Sequence, residues 1–501
     1  MEGPRLRRRL KLWTGRLDLG ALPAALADRY GTRVAVEADH RTWTYRELAA
    51  EVDRAARSYE ALSGQTVLLR WSNTPELLVQ WFALSRAGAV VAPVKARALD
   101  DEVQAIATAT GATAGVAEPG LWLPELSRAS AENGPVGAAA GTAVLLCTSG
   151  TSGTPKAAAL SHGGLQAGFL PLLPLPLGWR RGPRGGRDAV LAALPLCHVM
   201  GLAVAVGALM AGVPWIHRSR FDAEAVLQLI ERRRPNAFVG VPTMYADLET
   251  AGAAHRDLSS IQLWVSSADA MPTERARRFQ AMGAAVTVAG RSLGRAVFVD
   301  TYGMVELSGP GGVRVLPPVS VGLPVPYRTR PGLAVRAVGP DGRPLRFGAE
   351  GELQFRGTGV MSGYRGREGG LRDGWLCTGD HGRVFPGGLF LLSGRSRDRL
   401  KVGGFSVFPA EVEAVLDACP GVRDVAVVGL PDARLGERPV ALVVADEGFD
   451  PDVLLAWAEA RLAGYRGPHA VLRVDALPRG PHGKIDRDRA TRLGRAAASR
   501  A

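Results

Sequence analysis

Ala143-Val144-Leu145-Leu146-Cys147-Thr148-Ser149-Gly150-Thr151-Ser152-Gly153-Thr154-Pro155-Lys156 is the stretch on which the reading of this chain turns. Ala143–Cys147 is an apolar run of strand length. The nine residues after it set hydroxyls and glycines in front of one lysine. Glycines let a backbone approach an anion, hydroxyls and N–H groups donate to its oxygens, and a lysine supplies charge. The spacing departs from GxxxxGK[ST], so this is not a Walker A loop. Alone, a Ser/Gly loop ending in Lys is more often a flexible linker.

Working outward, the order of elements upstream predicts Thr66–Leu69 as a strand and Pro75–Arg86 as a helix burying Leu77, Leu78, Trp81 and Leu84. A strand over 89–94 and a helix over 101–108 come next. Such alternation predicts stacked βα units on a largely parallel sheet. Residues 199–216 carry no charge over 18 positions, the length of a membrane span. Gly201, Gly207, Gly212 and Pro214 interrupt them, so they read as a buried helix of a large α/β domain and no membrane span is expected. After about Ala334 the pattern shifts to shorter strands (335–338, 351–356, 388–393). A small α/β pattern closes the chain, with helices over 409–417 and 451–463 and strands over 422–430 and 440–444. The charged, glycine-bounded segment 394–401 is the expected domain boundary.

Four further stretches follow in order: Tyr302-Gly303-Met304-Val305-Glu306; Trp375-Leu376-Cys377-Thr378-Gly379-Asp380; Gly394-Arg395-Ser396-Arg397-Asp398-Arg399-Leu400-Lys401; and Pro478 to Arg487 with Gly483-Lys484. Supporting matches are Thr44-Tyr45-Arg46-Glu47-Leu48, Pro195-Leu196-Cys197-His198-Val199-Met200-Gly201 and Gly351-Glu352-Leu353. Together with the 148–156 loop they resemble the motifs of the adenylate-forming (ANL, AMP-binding) superfamily, closest to acyl-CoA synthetases, over nearly the whole chain. The resemblance implies an α/β fold: a large N-terminal adenylate-forming domain of packed α/β subdomains (1–394), a hinge (395–401) and a small mobile C-terminal α+β lid domain (402–501). It also implies an AMP-forming acid–thiol ligase. A fatty or aryl carboxylate attacks the α-phosphate of ATP, and the thiol of coenzyme A or of a separate carrier protein then displaces AMP. Two alternatives are an adenylating enzyme with a non-thiol acceptor, such as an amine or nitrite activated for N–N bond formation, and a non-catalytic relative.

By the same resemblance Thr148, Ser149, Gly150, Thr151, Ser152, Gly153, Thr154 and Lys156 hold the β- and γ-phosphates. Tyr302 lies against adenine, Glu306 holds Mg²⁺, and Asp380 receives the ribose hydroxyls with Arg395 beside it. Lys484 reaches the α-phosphate and the attacking carboxylate. Lys484, Glu306 and Lys156 are the expected catalytic groups. His198, Met200, Ala268, Gly303, Met304 and Val305 line the acyl pocket. Asp398 is the hinge, and Lys401, Gly403, Gly404 and Phe405 line the thiol path.

Three departures stand out. Val305 replaces the family's usual threonine and cannot donate to a phosphate oxygen. Ala157 stands where glycine is common, and the lead from Gly283 to Asp300 is long. No carboxylate occurs near His198 to hold an α-amino group, which disfavours an amino-acid substrate.

Composition fits this reading. Apolar residues make up 47% and charged residues 22% of the 501, as in ordinary globular chains of two or more domains. The net charge of +13 comes from 56 scattered arginines against five lysines, three of which fall in the motifs. No zinc-finger or RNP-like pattern accompanies them, so no nucleic-acid partner is expected. Four widely spaced cysteines suit a reducing compartment, and Met1 to Trp13 lacks the apolar core of a signal peptide, so a cytoplasmic location is expected.

Overall fold

A computed structural model describes residues 18–119, 141–149, 155–169, 188–269, 271–288, 291–319, 324–402, 405–432, 434–462, 466–480 and 484–498. The βα alternation seen in the sequence is present. The helix Pro75–Arg86 keeps its expected bounds, opens on a proline whose missing N–H costs nothing there, and buries Leu77, Leu78, Trp81 and Leu84. It connects the strands Thr66–Trp71 and Val90–Lys95, which pair in parallel. These join Ala114–Ala117, Thr142–Ser149 and Pro155–Ser161 in a five-stranded sheet, antiparallel only at the last pair.

A second, 14-stranded sheet changes character halfway along. Val190–Ala192, Ala237–Gly240, Leu263–Ser266 and Val297–Met304 run parallel. From Gly309–Leu316 onward, through Tyr327–Thr329, Leu389–Arg395, Trp375–Phe385, Glu350–Gly357 and Leu333–Val338, the pairing is antiparallel. The change of pattern expected after about Ala334 is thus one of pairing direction and begins some thirty residues earlier, after Met304. The strands beyond it are not uniformly shorter: Gly309–Leu316 has 8 residues and Trp375–Phe385 has 11.

The uncharged 199–216 stretch needs correction. Its helix ends at Ala211, where Gly212 takes a left-handed φ of 72°, and beyond Pro214 Trp215–His217 is a strand. All of Val199–Ala211 except Met200 and Ala211 is buried. No helix among the described residues is long and apolar enough to cross a membrane. The expected 451–463 helix likewise stops earlier, at Glu459. The long lead before Tyr302 contains a small hairpin, Val286–Val288 with Arg291–Leu293.

Beyond residue 399 a separate five-stranded sheet forms from Phe405–Val407, Leu400–Val402, Gly436–Ala445, Val422–Asp432 and Ala470–Arg473. It is covered by Pro409–Leu416, Pro451–Glu459 and Arg487–Ala498 and has its own apolar cores. The whole is the mixed α/β architecture expected, a large N-terminal part and a small C-terminal one. They touch: Arg275 donates to the Arg423 carbonyl (3.3 Å), and the rings of His381 and Phe408 lie 5.5 Å apart.

Candidate active site

The strand Val297–Met304 runs parallel to Leu263–Ser266 on one side and antiparallel to Gly309–Leu316 on the other. Tyr302, near its C-terminal end, is buried with its ring stacked on Phe355 (5.8 Å, 24°) and edge-on to Phe390. Its hydroxyl donates to Asp380 Oδ2 at 2.7 Å. Arg395, cross-strand partner of Asp380, meets Oδ1 at 3.3 Å. Burial raises the Asp380 pKa, opposed chiefly by the Arg395 charge and the Tyr302 hydrogen bond, with Lys484 adding to them.

Lys484 comes from the C-terminal part. The turn that carries it is closed by Gly480 N–H to the Lys484 carbonyl (2.8 Å) and Asp486 N–H to the Pro478 carbonyl (2.9 Å). Arg479 anchors it on Asp424 (2.6 Å), and Arg487 donates to Glu413 Oε2 (2.7 Å) and to the Val427 carbonyl. Lys484 keeps solvent contact, yet crowding lowers its ammonium pKa. Asp269 and Asp380 oppose that shift, while Arg395 and Arg397 reinforce it. Asp380 and Arg395 thus lie within electrostatic reach of its charge.

Glu306 lies on the one-turn 3-10 helix Val305–Leu307 and is buried. Its Oε1 accepts from the Tyr364 hydroxyl at 2.7 Å. Among the described residues Oε2 receives no hydrogen bond, and no group of three or more metal-ligating side chains occurs. A buried carboxylate suits Mg²⁺, which demands little from protein when phosphates supply its other ligands. Lys156 pairs across from Thr148, and its Nζ stands 5.6 Å from the Tyr364 ring centre. Gly150 to Thr154, Gly403 and Gly404 lie outside the described residues.

Of the expected acyl-pocket residues, His198 precedes the helix Val199–Ala211 as its N-terminal flank, with Met200 half-buried. Gly303, Met304 and Val305 are half-buried beside Tyr302. Ala268 is exposed, and its φ of +77° is a strained value for a residue with a Cβ. Gly168 abuts the Ser308 backbone, two residues beyond Glu306: a Cβ at 168 would stand 2.0 Å from the Ser308 carbonyl oxygen. Asp398 is half-buried and pairs with Arg397 (3.4 Å). Lys401 and Phe405 are exposed on the hairpin Leu400–Val402/Phe405–Val407.

Sequence reasoning missed three features. Tyr364 joins Glu306 to Lys156. Asn73 links the smaller sheet to the His198 loop: its Oδ1 accepts from Leu196 N–H (2.9 Å) and its Nδ2 donates to the Ser219 carbonyl (3.0 Å). Next to Tyr302, the buried Asp300 accepts at Oδ2 from the Tyr327 hydroxyl (2.6 Å) and from Arg314 Nε (2.9 Å). In each case the partners lie far apart in sequence, and no local spacing marks them.

Comparison with known proteins places these motifs in company. Residues 24–365 match the AMP-binding enzyme family and residues 411–484 the AMP-binding enzyme C-terminal domain. The chain is 33% identical over 500 residues to feruloyl-CoA synthase from an Amycolatopsis species, covering 93% of this chain and 97% of that one. Its fold is similar to ATP-bound MatB from Rhodopseudomonas palustris (TM-score 0.75, 27% identity, 95% and 98% covered). It is equally similar to the amide bond synthetase McbA from Marinactinospora thermotolerans (TM-score 0.76, 26% identity, 95% and 99% covered).

Proposed function

The chain belongs to the AMP-binding enzyme family, and on that footing we propose that it is an AMP-forming acid–thiol ligase. It activates a fatty or aryl carboxylic acid with ATP and passes the acyl group to coenzyme A or a carrier protein. The observation that carries this reading is the buried Tyr302–Asp380–Arg395 group, its hydroxyl and guanidinium held on the Asp380 carboxylate at 2.7 and 3.3 Å.

The family's motifs suggest a division of labour. Adenine lies along Tyr302, and the ribose hydroxyls donate to Asp380. The β- and γ-phosphates meet Lys156 and the 148–154 loop. Glu306 would hold a Mg²⁺ ion bound with the nucleotide, which would supply neutralisation of the phosphate charge. The acid lies between His198, Met200 and Ala268 on one side and Gly303, Met304 and Val305 on the other. A carboxylate oxygen forms the new bond to the α-phosphorus as the bridge to pyrophosphate breaks. Lys484 offsets the negative charge that gathers on the α-phosphate and the attacking carboxylate. Such chemistry is mostly positioning and charge neutralisation. In the second step a sulfur–carbonyl bond forms, the bond to AMP breaks, and the thiol proton leaves to solvent. With Lys401 and Phe405 exposed, that step calls for rotation about Asp398, within a hinge at 395–401, to bring 401–405 to the cleft.

The test is pyrophosphate release from ATP and Mg²⁺ against a panel of fatty and aryl acids, with and without coenzyme A, for wild type and Lys484→Ala. Acid-dependent release by the wild type, lost in the variant, together with a thioester when coenzyme A is present, supports the reading. No release with any acid would sink it. The likeness to an amide bond synthetase favours one second reading, an amine acceptor: acid-dependent release without thioester, and with amide when amine is added, would select it.

A further inference from the structure

We infer that Tyr364 is a positioning residue shared by the metal-holding carboxylate and the phosphate-binding lysine, its hydroxyl fixing Glu306 and its ring fixing Lys156. The inference rests on the roles proposed above for those two residues.

The backbone explains why the phenol can serve both. Residues 361–365 are laced to the strand Pro155–Ser161 by Ser362 N–H to the Ala159 carbonyl, Ala159 N–H to the Gly363 carbonyl and Arg365 N–H to the Ala157 carbonyl, all 2.8–2.9 Å. Ala158 and Tyr364 are bridge partners, two residues from Lys156. On the other side, Met361 N–H donates to the Glu306 carbonyl at 2.8 Å. The segment is therefore stitched both to the strand that bears Lys156 and to the 3-10 turn that bears Glu306. Gly370 leaves the ring its seat: a Cβ there would come 2.7 Å from the Tyr364 ring, and its φ of +80° favours glycine as well.

The chemistry divides cleanly. A hydrogen bond to Oε1 (2.7 Å) orients the carboxylate and leaves Oε2 for a cation, as outer partners of metal-ligating carboxylates do. The ring face holds the ammonium by its quadrupole, with Nζ 5.6 Å from its centre.

Tyr364→Phe removes the hydroxyl and keeps the ring, whereas Tyr364→Leu removes both. Binding of Mn²⁺ is read by EPR in the presence of α,β-methylene-ATP, whose α–β link is not cleaved. Pyrophosphate release is titrated separately with Mg²⁺ and with ATP. Tyr364→Phe should weaken Mn²⁺ about tenfold and raise the Mg²⁺ requirement, with KM for ATP at saturating Mg²⁺ unchanged. Tyr364→Leu should in addition raise KM for ATP about three- to fivefold through loss of the ring contact. Wild-type Mn²⁺ affinity in Tyr364→Phe, or equal KM values for the two variants, overturns the inference. Glu306→Gln separates this from the underlying reading: it should lose Mn²⁺, and if it does not, the role of Glu306 fails, whatever Tyr364 does.

Discussion

Tyr302 and Asp380, 78 residues apart, share a 2.7 Å hydrogen bond that reaches across the antiparallel half of the large sheet. The bond locks the proposed adenine platform to the proposed ribose acceptor. Tyr302→Phe leaves a buried carboxylate short of a donor, at a cost of about 1–3 kcal/mol. The expected outcome is a lower midpoint in urea unfolding and a several-fold higher KM for ATP, with KM for the acid unchanged. A variant that melts and binds ATP like wild type would remove this link.

Val305 is half-buried and packs against the main core, so a threonine of the same shape fits there. Its hydroxyl could donate to phosphate, worth about 1 kcal/mol. Val305→Thr should therefore raise the adenylation rate or tighten ATP by up to about fivefold. Unchanged steady-state constants would show that position 305 does not face the nucleotide.

Asn73 fastens the turn before His198. Asn73→Ala leaves the Leu196 N–H unpaired, at a cost of about 1–3 kcal/mol, and frees the 194–198 turn. Rates with a short and a long acid of one series should shift relative to each other, with KM for ATP held. Asn73→Asp keeps the acceptor for Leu196 and should retain most of the wild-type preference. Loss of all activity in parallel across acids would reduce Asn73 to a structural role.

His217 is fully buried, its Nε2 on the Asn73 carbonyl (2.8 Å). Burial holds its pKa down at about 4, against 6.5 ordinarily. The unfolded chain therefore takes up a proton that the folded chain refuses between those values. Stability is complete above about pH 6.5 and declines as pH falls toward 4, by about 3 kcal/mol. Denaturant midpoints of wild type should fall across that window, and those of His217→Gln should fall less. Parallel slopes would assign the acid sensitivity to other groups.

Much of the fold was legible in the sequence because it is written in local patterns. Pro75–Arg86 announces itself by its N-terminal proline and apolar spacing. The overrun of the 199–216 helix was avoidable: Gly212 and Pro214 mark its end, and the glycine does adopt a left-handed φ. Site residues found by motif sit where ordered signals stand, as Tyr302, Glu306, Asp380 and Lys484 do. Tyr364, Asn73 and Asp300 escaped because their roles exist only through partners from other strands. A tyrosine after a glycine and an asparagine before a helix are ordinary in sequence, and only the register of two sheets gives them meaning.

The contact between Gly168 and Ser308 bears on how such an enzyme can diverge. With the Ser308 carbonyl 2.0 Å from where a methyl would go, substitution at 168 displaces backbone rather than reshaping a cavity. Position 168 is therefore closed to gradual change, because even the smallest side chain there would have to move the Ser308 main chain. Related chains that keep this turn should keep glycine at 168, whatever acid they accept.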